Sequence, residues 1–206
     1  VELLDNLGWD RCSLLGHSMG AGVATCVAGL LGHRIQNVLL IEGLGPMTQP
    51  PERLTELMRD SFRQWRSLPG KTSPVYATMD EAVEARHIVG EMEIDSVKTL
   101  VSRGLVQKNN SYKWRSDPRL RVKSRVYLTE DQILFFIREI TAPVLVIEAR
   151  DTKIQRWRDF LRSRLPEVRT LKHLVLPGGH HLHLDDPLPV AEAIRDFVQN
   201  PPASHE

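Results

Sequence analysis

The feature that most constrains the fold is the stretch "SLLGHSMGAGVA", residues 13–24, in which a short apolar segment leads into a serine flanked by glycines. Cys12 to Leu15 predicts a buried strand, and Met19 to Leu31 predicts a helix of small residues that ends near Gly32. Val38 to Ile41 predicts a second buried strand. A strand, a helix and a strand with short links form a right-handed crossover, so we expect a parallel sheet.

Residues 16–20, "GHSMG", match the pattern G-x-S-x-G between a predicted strand and a predicted helix. A sharp turn at this place strains the serine and exposes its hydroxyl, and the two glycines prevent side-chain collisions with the backbone. The start of the helix supplies N–H groups and a positive dipole end. The N–H of Met19 is placed to donate to a developing oxyanion. The pattern therefore favours Ser18 as a nucleophile over a structural Gly-Ser turn.

A serine nucleophile needs a base, and the segment "LPGGHHLHLDDP", residues 176–187, offers His180, His181 and His183. It follows the predicted strand His173 to Leu176, and a loop after a strand end is where an imidazole reaches a nucleophile. A metal cluster is the alternative, but no second group of His or Cys has suitable spacing. We therefore expect a catalytic base from this loop and no metal.

Residues 47–140 interrupt the sheet pattern. Helices are predicted at Arg53 to Leu68, Met79 to Val89, Ile94 to Leu105 and Thr129 to Ile140, with a polar loop at 106–120. The sheet pattern then resumes with a strand at 143–149, a helix at 155–165, a strand at 173–176 and a helix at 189–199. The prediction is an α/β fold, with a core made of 1–46 and 141–206 and a helical cap made of 47–140.

Taken together, these segments resemble the α/β-hydrolase fold family, in the branch with a helical cap between the sixth and seventh strands. "GHSMGAG" is similar to the nucleophile elbow, "VLLIEGLGP" to the sixth strand, "APVLVIEARD" to the seventh and "PGGHHLHLDDP" to the histidine loop. The last of these and "LIEGLGP" resemble the serine hydrolase-like subgroup. The resemblance implies a serine hydrolase that cleaves a carboxylic ester or a similar acyl bond. Counting back from Pro187 in the family's loop puts His180 on the catalytic histidine, with His181 as its main rival.

The resemblance leaves two candidates for the acid that orients the histidine. Asp151 follows the seventh strand, which is the commoner arrangement and the preferred interpretation, although the family's glycine is missing there and the Asp is one residue early. Glu42 ends the sixth strand, where haloalkane dehalogenases and coelenterazine luciferases use a Glu. Either acid also has a structural interpretation, Glu42 as a partner of loop backbone and Asp151 as a helix cap.

The resemblance also implies a cap over the active site. His17, Trp65 and Trp114 are candidate substrate-binding residues. Dehalogenase chemistry is disfavoured because it needs a carboxylate nucleophile where this chain has Ser18. No phosphate-binding or dinucleotide glycine motif is found, so no cofactor is implied, and the expected partner is a small ester-like molecule.

Bulk composition excludes several other classes. The formal net charge is +1, so nothing global indicates nucleic acid, and the basic segment 115–125 is interpreted as solvated surface. No apolar run approaches the ~20 residues of a membrane span. Cys12 and Cys26 lie in apolar sequence, which favours buried free thiols in a reducing compartment, hence the cytoplasm.

The elbow follows the first predicted strand, whereas the family pattern places it after the fifth. The first four strands, and a loop with a His-Gly pair that gives a second oxyanion donor, are therefore expected upstream of Val1, as would be any targeting signal. Two hypotheses follow: the chain is part of an active hydrolase, or it is a truncated or non-catalytic relative that acts as a binding module.

Overall fold

The computed structural model describes residues 2–68, 74–153 and 155–202. The strands in these residues are β1 (Cys12–His17), β2 (Ile35–Ile41), β3 (Val75–Tyr76), β4 (Leu105–Lys108), β5 (Ser111–Trp114), β6 (Val144–Ala149) and β7 (Leu171–Leu176). The α-helices are α1 (Glu2–Asn6), α2 (Met19–Leu31), α3 (Leu54–Ser67), α4 (Met79–Ile88), α5 (Ile94–Gly104), α6 (Glu130–Arg138), α7 (Gln155–Arg164), α8 (Leu182–Asp185) and α9 (Pro187–Gln199). The chain divides into two compact units, Val1–Thr48 with Leu128–Glu206, and Gln49–Tyr127.

A four-stranded parallel sheet in the order β1-β2-β6-β7 forms the centre of the first unit. The two middle strands are the most apolar, and every residue of β6 is buried. Because successive side chains point to opposite faces, Val38 and Leu40 pack towards α2 while Leu39 and Ile41 pack towards α9. The sheet therefore has one core on each face, and the strands end together at one carboxyl edge.

Helix α6 belongs to this first unit, whereas the sequence pattern predicts it as part of the inserted cap. Ile133 and Ile137 are fully buried in the core that also contains the buried face of α2. The two helices approach closely at Gly29, where a Cβ atom would lie 2.4 Å from the carbonyl oxygen of Phe136. The unit boundary thus falls between residues 127 and 128 instead of after residue 140.

The second unit contains α3, α4, α5 and a small antiparallel sheet in the order β3-β5-β4. The predicted polar loop at 106–120 is wrong over its first half, which forms the hairpin β4-β5. Asn109 and Asn110 join these strands with φ of 50° and 56°. Two left-handed residues in succession make the tight turn that suits hairpin twist, and Asn tolerates that conformation. None of the helices in the described residues is long and apolar enough to cross a membrane.

Candidate active site

Ser18 occupies a strained turn between β1 and α2. Its φ is 53° and its ψ is −114°, outside the regions that residues with a side chain prefer. Its N–H donates to the carbonyl oxygen of Ile41 at 2.9 Å, which fixes the turn against β2. At Gly16 a Cβ atom would lie 2.3 Å from the carbonyl oxygen of Gly20, so the turn closes this tightly only with glycine. The strain at Ser18 and the close approach at Gly16 are the features that the G-x-S-x-G pattern predicts. The same expectation is wrong for Gly20, because a Cβ atom there would have no neighbour within 4 Å.

His180 lies in the loop after β7 and bridges two side chains. Its Nε2 is 3.0 Å from the hydroxyl Oγ of Ser18, and its Nδ1 is 3.1 Å from Oε2 of Glu42. Because an ionised carboxylate only accepts, Nδ1–H donates to Glu42, and Nε2 is left to accept from the Ser18 hydroxyl. The ring of His181, the alternative base, has its centroid 5.0 Å from that of His180. The structure thus brings three of the predicted residues into one hydrogen-bonded chain.

Glu42 is the buried end of this series of three hydrogen-bonded side chains, with 1% of its side chain exposed. It follows β2 directly, and its Oε1 accepts from the N–H of Ala149 at 2.6 Å. The side chain therefore makes the backbone contact that its structural interpretation predicts, and it contacts His180 as well. The carboxylate of Glu42 is thus fixed by Ala149 through Oε1 and orients the imidazole of His180 through Oε2.

Asp151, the preferred acid in the sequence-based interpretation, does not contact His180. Its Oδ2 accepts from the N–H of Gly178 at 3.0 Å, and its own N–H donates to the carbonyl oxygen of Gly178. The side chain is exposed and holds the loop that leads to His180, while Glu42 makes the hydrogen bond to the imidazole. The reason is position: the turn after β6 pairs with the turn after β7, whereas Glu42 follows β2, one of the two middle strands, and its Oε2 reaches Nδ1 of His180.

His17, predicted as a substrate-binding residue, packs against the histidine loop. Its Nε2–H donates to the carbonyl oxygen of His180 at 2.8 Å, and its ring centroid is 4.1 Å from that of His183. Burial lowers the pKa of His17 to about 3 and also lowers the pKa of His183. His17 is therefore neutral at physiological pH and holds His180 through its backbone. No local sequence pattern signals this contact, because it joins residues 163 positions apart.

The remaining predicted site residues lie in separate places. Met19 is the first residue of α2, so its N–H has no acceptor within the helix. Trp65 packs under the guanidinium of Arg125, 4.6 Å from the ring centroid, and Trp114 lines a cavity of about 630 Å³; both belong to the second unit. Their roles in binding stay predictions. In the part of the chain that the structure describes, no group of three His, Cys, Asp or Glu is arranged to hold a metal.

Comparison with known proteins assigns this chain to a family. A family model described as the alpha/beta hydrolase fold matches residues 1–187. A crystal structure of a hypothetical protein from Pseudomonas aeruginosa PAO1 is 37% identical, with a TM-score of 0.83, and the match covers 96% of this chain and 70% of that one. The chain belongs to the α/β hydrolase fold family.

Curated relatives carry names that describe serine hydrolases. A serine hydrolase-like protein of Dictyostelium discoideum is 25% identical, with 96% of this chain and 58% of that protein covered. A probable serine hydrolase of Drosophila melanogaster is 27% identical, with 96% of this chain and 63% of that protein covered. The chain spans about three fifths of the length of these relatives. Family and relatives together support a hydrolase.

Proposed function

We propose that this chain carries the nucleophile, base and acid of a serine hydrolase that cleaves a carboxylic ester or a similar acyl bond. The observation that carries the proposal is the hydrogen-bonded chain from Ser18 through His180 to Glu42, with links of 3.0 Å and 3.1 Å. A nucleophile within reach of a base that is itself oriented by a third group is the arrangement such chemistry needs. The serine hydrolase names of the relatives support the same class.

In the proposed reaction, the hydroxyl oxygen of Ser18 attacks the acyl carbon while Nε2 of His180 takes the hydroxyl proton. Glu42 stabilises the imidazolium without taking a proton itself. The N–H of Met19 stabilises the oxyanion of the tetrahedral intermediate. The imidazolium then gives its proton to the leaving alcohol, and an acyl-enzyme on Ser18 results. Water attacks that ester with His180 again as base, which releases the acid and restores the serine.

Glu42 is the better acid because of its surroundings. It is buried, its Oε1 is fixed by the N–H of Ala149, and its Oε2 is directed at the imidazole. Asp151 is exposed and its carboxylate already accepts from Gly178. A buried carboxylate acts on the imidazolium through a low local dielectric, whereas an exposed one is screened by water.

Hydrolysis of p-nitrophenyl esters of increasing acyl length tests the proposal. The protein should show turnover with an initial burst of about one nitrophenolate per chain, because an acyl-enzyme accumulates. Ser18→Ala should lower kcat by about 10⁴-fold or more. Ser13→Ala alters an exposed serine of β1 and is the matched control, so its kcat should equal that of the wild type. Folded protein without turnover or burst would instead favour a non-catalytic binding module. Full turnover in Ser18→Ala would show that Ser18 is not the nucleophile.

A further inference from the structure

We infer that Trp157 is a positioning residue that holds Glu42 in place for His180, an inference that rests on the proposed function. Trp157 lies in the first turn of α7, 115 residues away from Glu42 in the chain. Its indole Nε1–H donates to the carbonyl oxygen of Glu42 at 2.6 Å. The bond is made to the backbone of the acid, so it acts on where the carboxylate points.

Glu42 needs such support because its backbone is strained. Its φ is 53°, in the left-handed region that a residue with a Cβ atom disfavours. Strained residues persist only when their surroundings fix them. Three hydrogen bonds do so here: the N–H of Glu42 donates to Ile147 at 2.8 Å, its Oε1 accepts from Ala149, and its carbonyl oxygen accepts from Trp157. The first two come from the backbone of β6, and the third comes from a side chain.

The residue after Glu42 packs between the indole of Trp157 and the turn that holds Ser18, so the position of the indole affects both. A Cβ atom at Gly43 would lie 3.1 Å from the carbonyl oxygen of Ser18 and 3.6 Å from Cζ2 of Trp157, so this segment lies between the elbow and the indole. The Trp157 ring also meets the His180 ring edge-on, with centroids 6.5 Å apart. Loss of the indole N–H therefore frees the carbonyl of Glu42 at the point where serine, imidazole and carboxylate meet.

Helix α7 is itself fixed at this edge of the sheet. Arg158, the next residue, donates from Nη2 to the carbonyl oxygen of Arg150 at 2.6 Å, and its Nε is 3.3 Å from the buried carboxylate of Glu148. The hydrogen bond to Arg150 and the ion pair with Glu148 tie the start of α7 to the end of β6, the strand whose Ala149 N–H holds the Glu42 carboxylate. Helix α7, which carries the indole, is thus fixed to the sheet, as the role of a positioning residue requires.

Trp157→Phe tests the inference, since it keeps a ring and removes the donor. Loss of one such hydrogen bond should lower kcat for ester hydrolysis about tenfold, while KM stays within about twofold because the bond is made to Glu42 and not to substrate. Trp9→Phe is the matched control, because its side chain is 53% exposed, and its kinetics should not change. A wild-type kcat in Trp157→Phe would overturn the inference.

A double-mutant cycle with Glu42→Gln separates positioning from general damage. If Trp157 acts through Glu42, Trp157→Phe should lower kcat about tenfold in the wild type and have no further effect in the Glu42→Gln protein. An equal loss in both backgrounds would overturn the inference. Should Trp157→Phe not fold, a tryptophan isostere with sulfur in place of the N–H at position 157 gives the same readout. The proposed function fails separately, and this inference with it, if Ser18→Ala and Glu42→Gln both keep wild-type turnover.

Discussion

Replacing Glu42 by Gln tests which acid serves His180, and the structure gives the reason for a large effect. In the wild type, Oε1 accepts from the N–H of Ala149 and Oε2 accepts from Nδ1–H of His180. The amide of the Gln side chain has one oxygen, and this oxygen accepts the hydrogen bond from the N–H of Ala149. The amide nitrogen then faces Nδ1, which must become an acceptor. The proton of the imidazole moves to Nε2, where it faces Ser18, so that Nε2 cannot accept the hydroxyl proton.

A triad histidine in the wrong tautomer lowers kcat by about 10⁴-fold, which is about 5.5 kcal/mol of transition-state stabilisation. Asp151→Asn is the matched control, because Asn keeps an oxygen for the N–H of Gly178 and loses only a charge at an exposed position. It should cost less than about tenfold. The assay is kcat for p-nitrophenyl ester hydrolysis of both variants, each checked for folding by circular dichroism. An Asp151→Asn loss as large as that of Glu42→Gln would show that Glu42 is not the acid that orients His180.

Three further predictions concern stability and the elbow. The folded-state pKa of His17, about 3, lies below the unfolded value of 6.5, so unfolded chains bind the extra proton between these limits. The free energy of unfolding should therefore fall as pH drops from about 6.5 towards 3, by up to about 1.4 kcal/mol per pH unit. In urea unfolding at several pH values, His17→Gln should show a weaker dependence of this free energy on pH, and an unchanged dependence would contradict the prediction. Arg164 is 2% exposed and donates to Glu130 and to the carbonyl oxygens of Leu44 and Pro46, and its bond to Glu130 lowers the pKa of that carboxyl. Arg164→Met should lower the free energy of unfolding in urea by about 3 kcal/mol, the lower end of the range for a broken buried ion pair, because Glu130 is partly exposed. A loss under about 1 kcal/mol would contradict this prediction. Gly16→Ala should abolish ester turnover, because its Cβ would meet the carbonyl oxygen of Gly20 at 2.3 Å. Gly8→Ala has open space at its Cβ but a φ of 66°, so it should cost about 1 kcal/mol of stability and retain turnover.

The parts of the fold that depend on local pattern could be predicted from the sequence. Helix α2 begins and ends where its run of small residues does, and the elbow at Ser18 has the strained backbone that its glycines imply. The hairpin at Asn109 and Asn110 was missed because its signal, two Asn residues between short alternating strands, is weaker than Asn-Gly. The apolar stripe of α6 predicted a helix but gave no sign of which unit it joins.

The choice of acid depends on tertiary contacts that no local pattern encodes. Asp151 and Glu42 both follow strands at the same edge of the sheet, and which one reaches His180 depends on how the turns after β6 and β7 pair. The contacts of His17 and Trp157 link residues more than 100 positions apart, so they too became visible only in the folded chain.

The nucleophile can be identified directly by mapping where a fluorophosphonate probe attaches to the protein. The probe phosphonylates a serine only when a base activates it, so the site of attachment identifies the nucleophile. Mass spectrometry of the digested protein should show one adduct, on the peptide that contains Ser18, and His180→Asn should slow its formation by about 10³-fold or more. Folded protein that forms no adduct, or an adduct on another residue that persists in Ser18→Ala, would contradict the account.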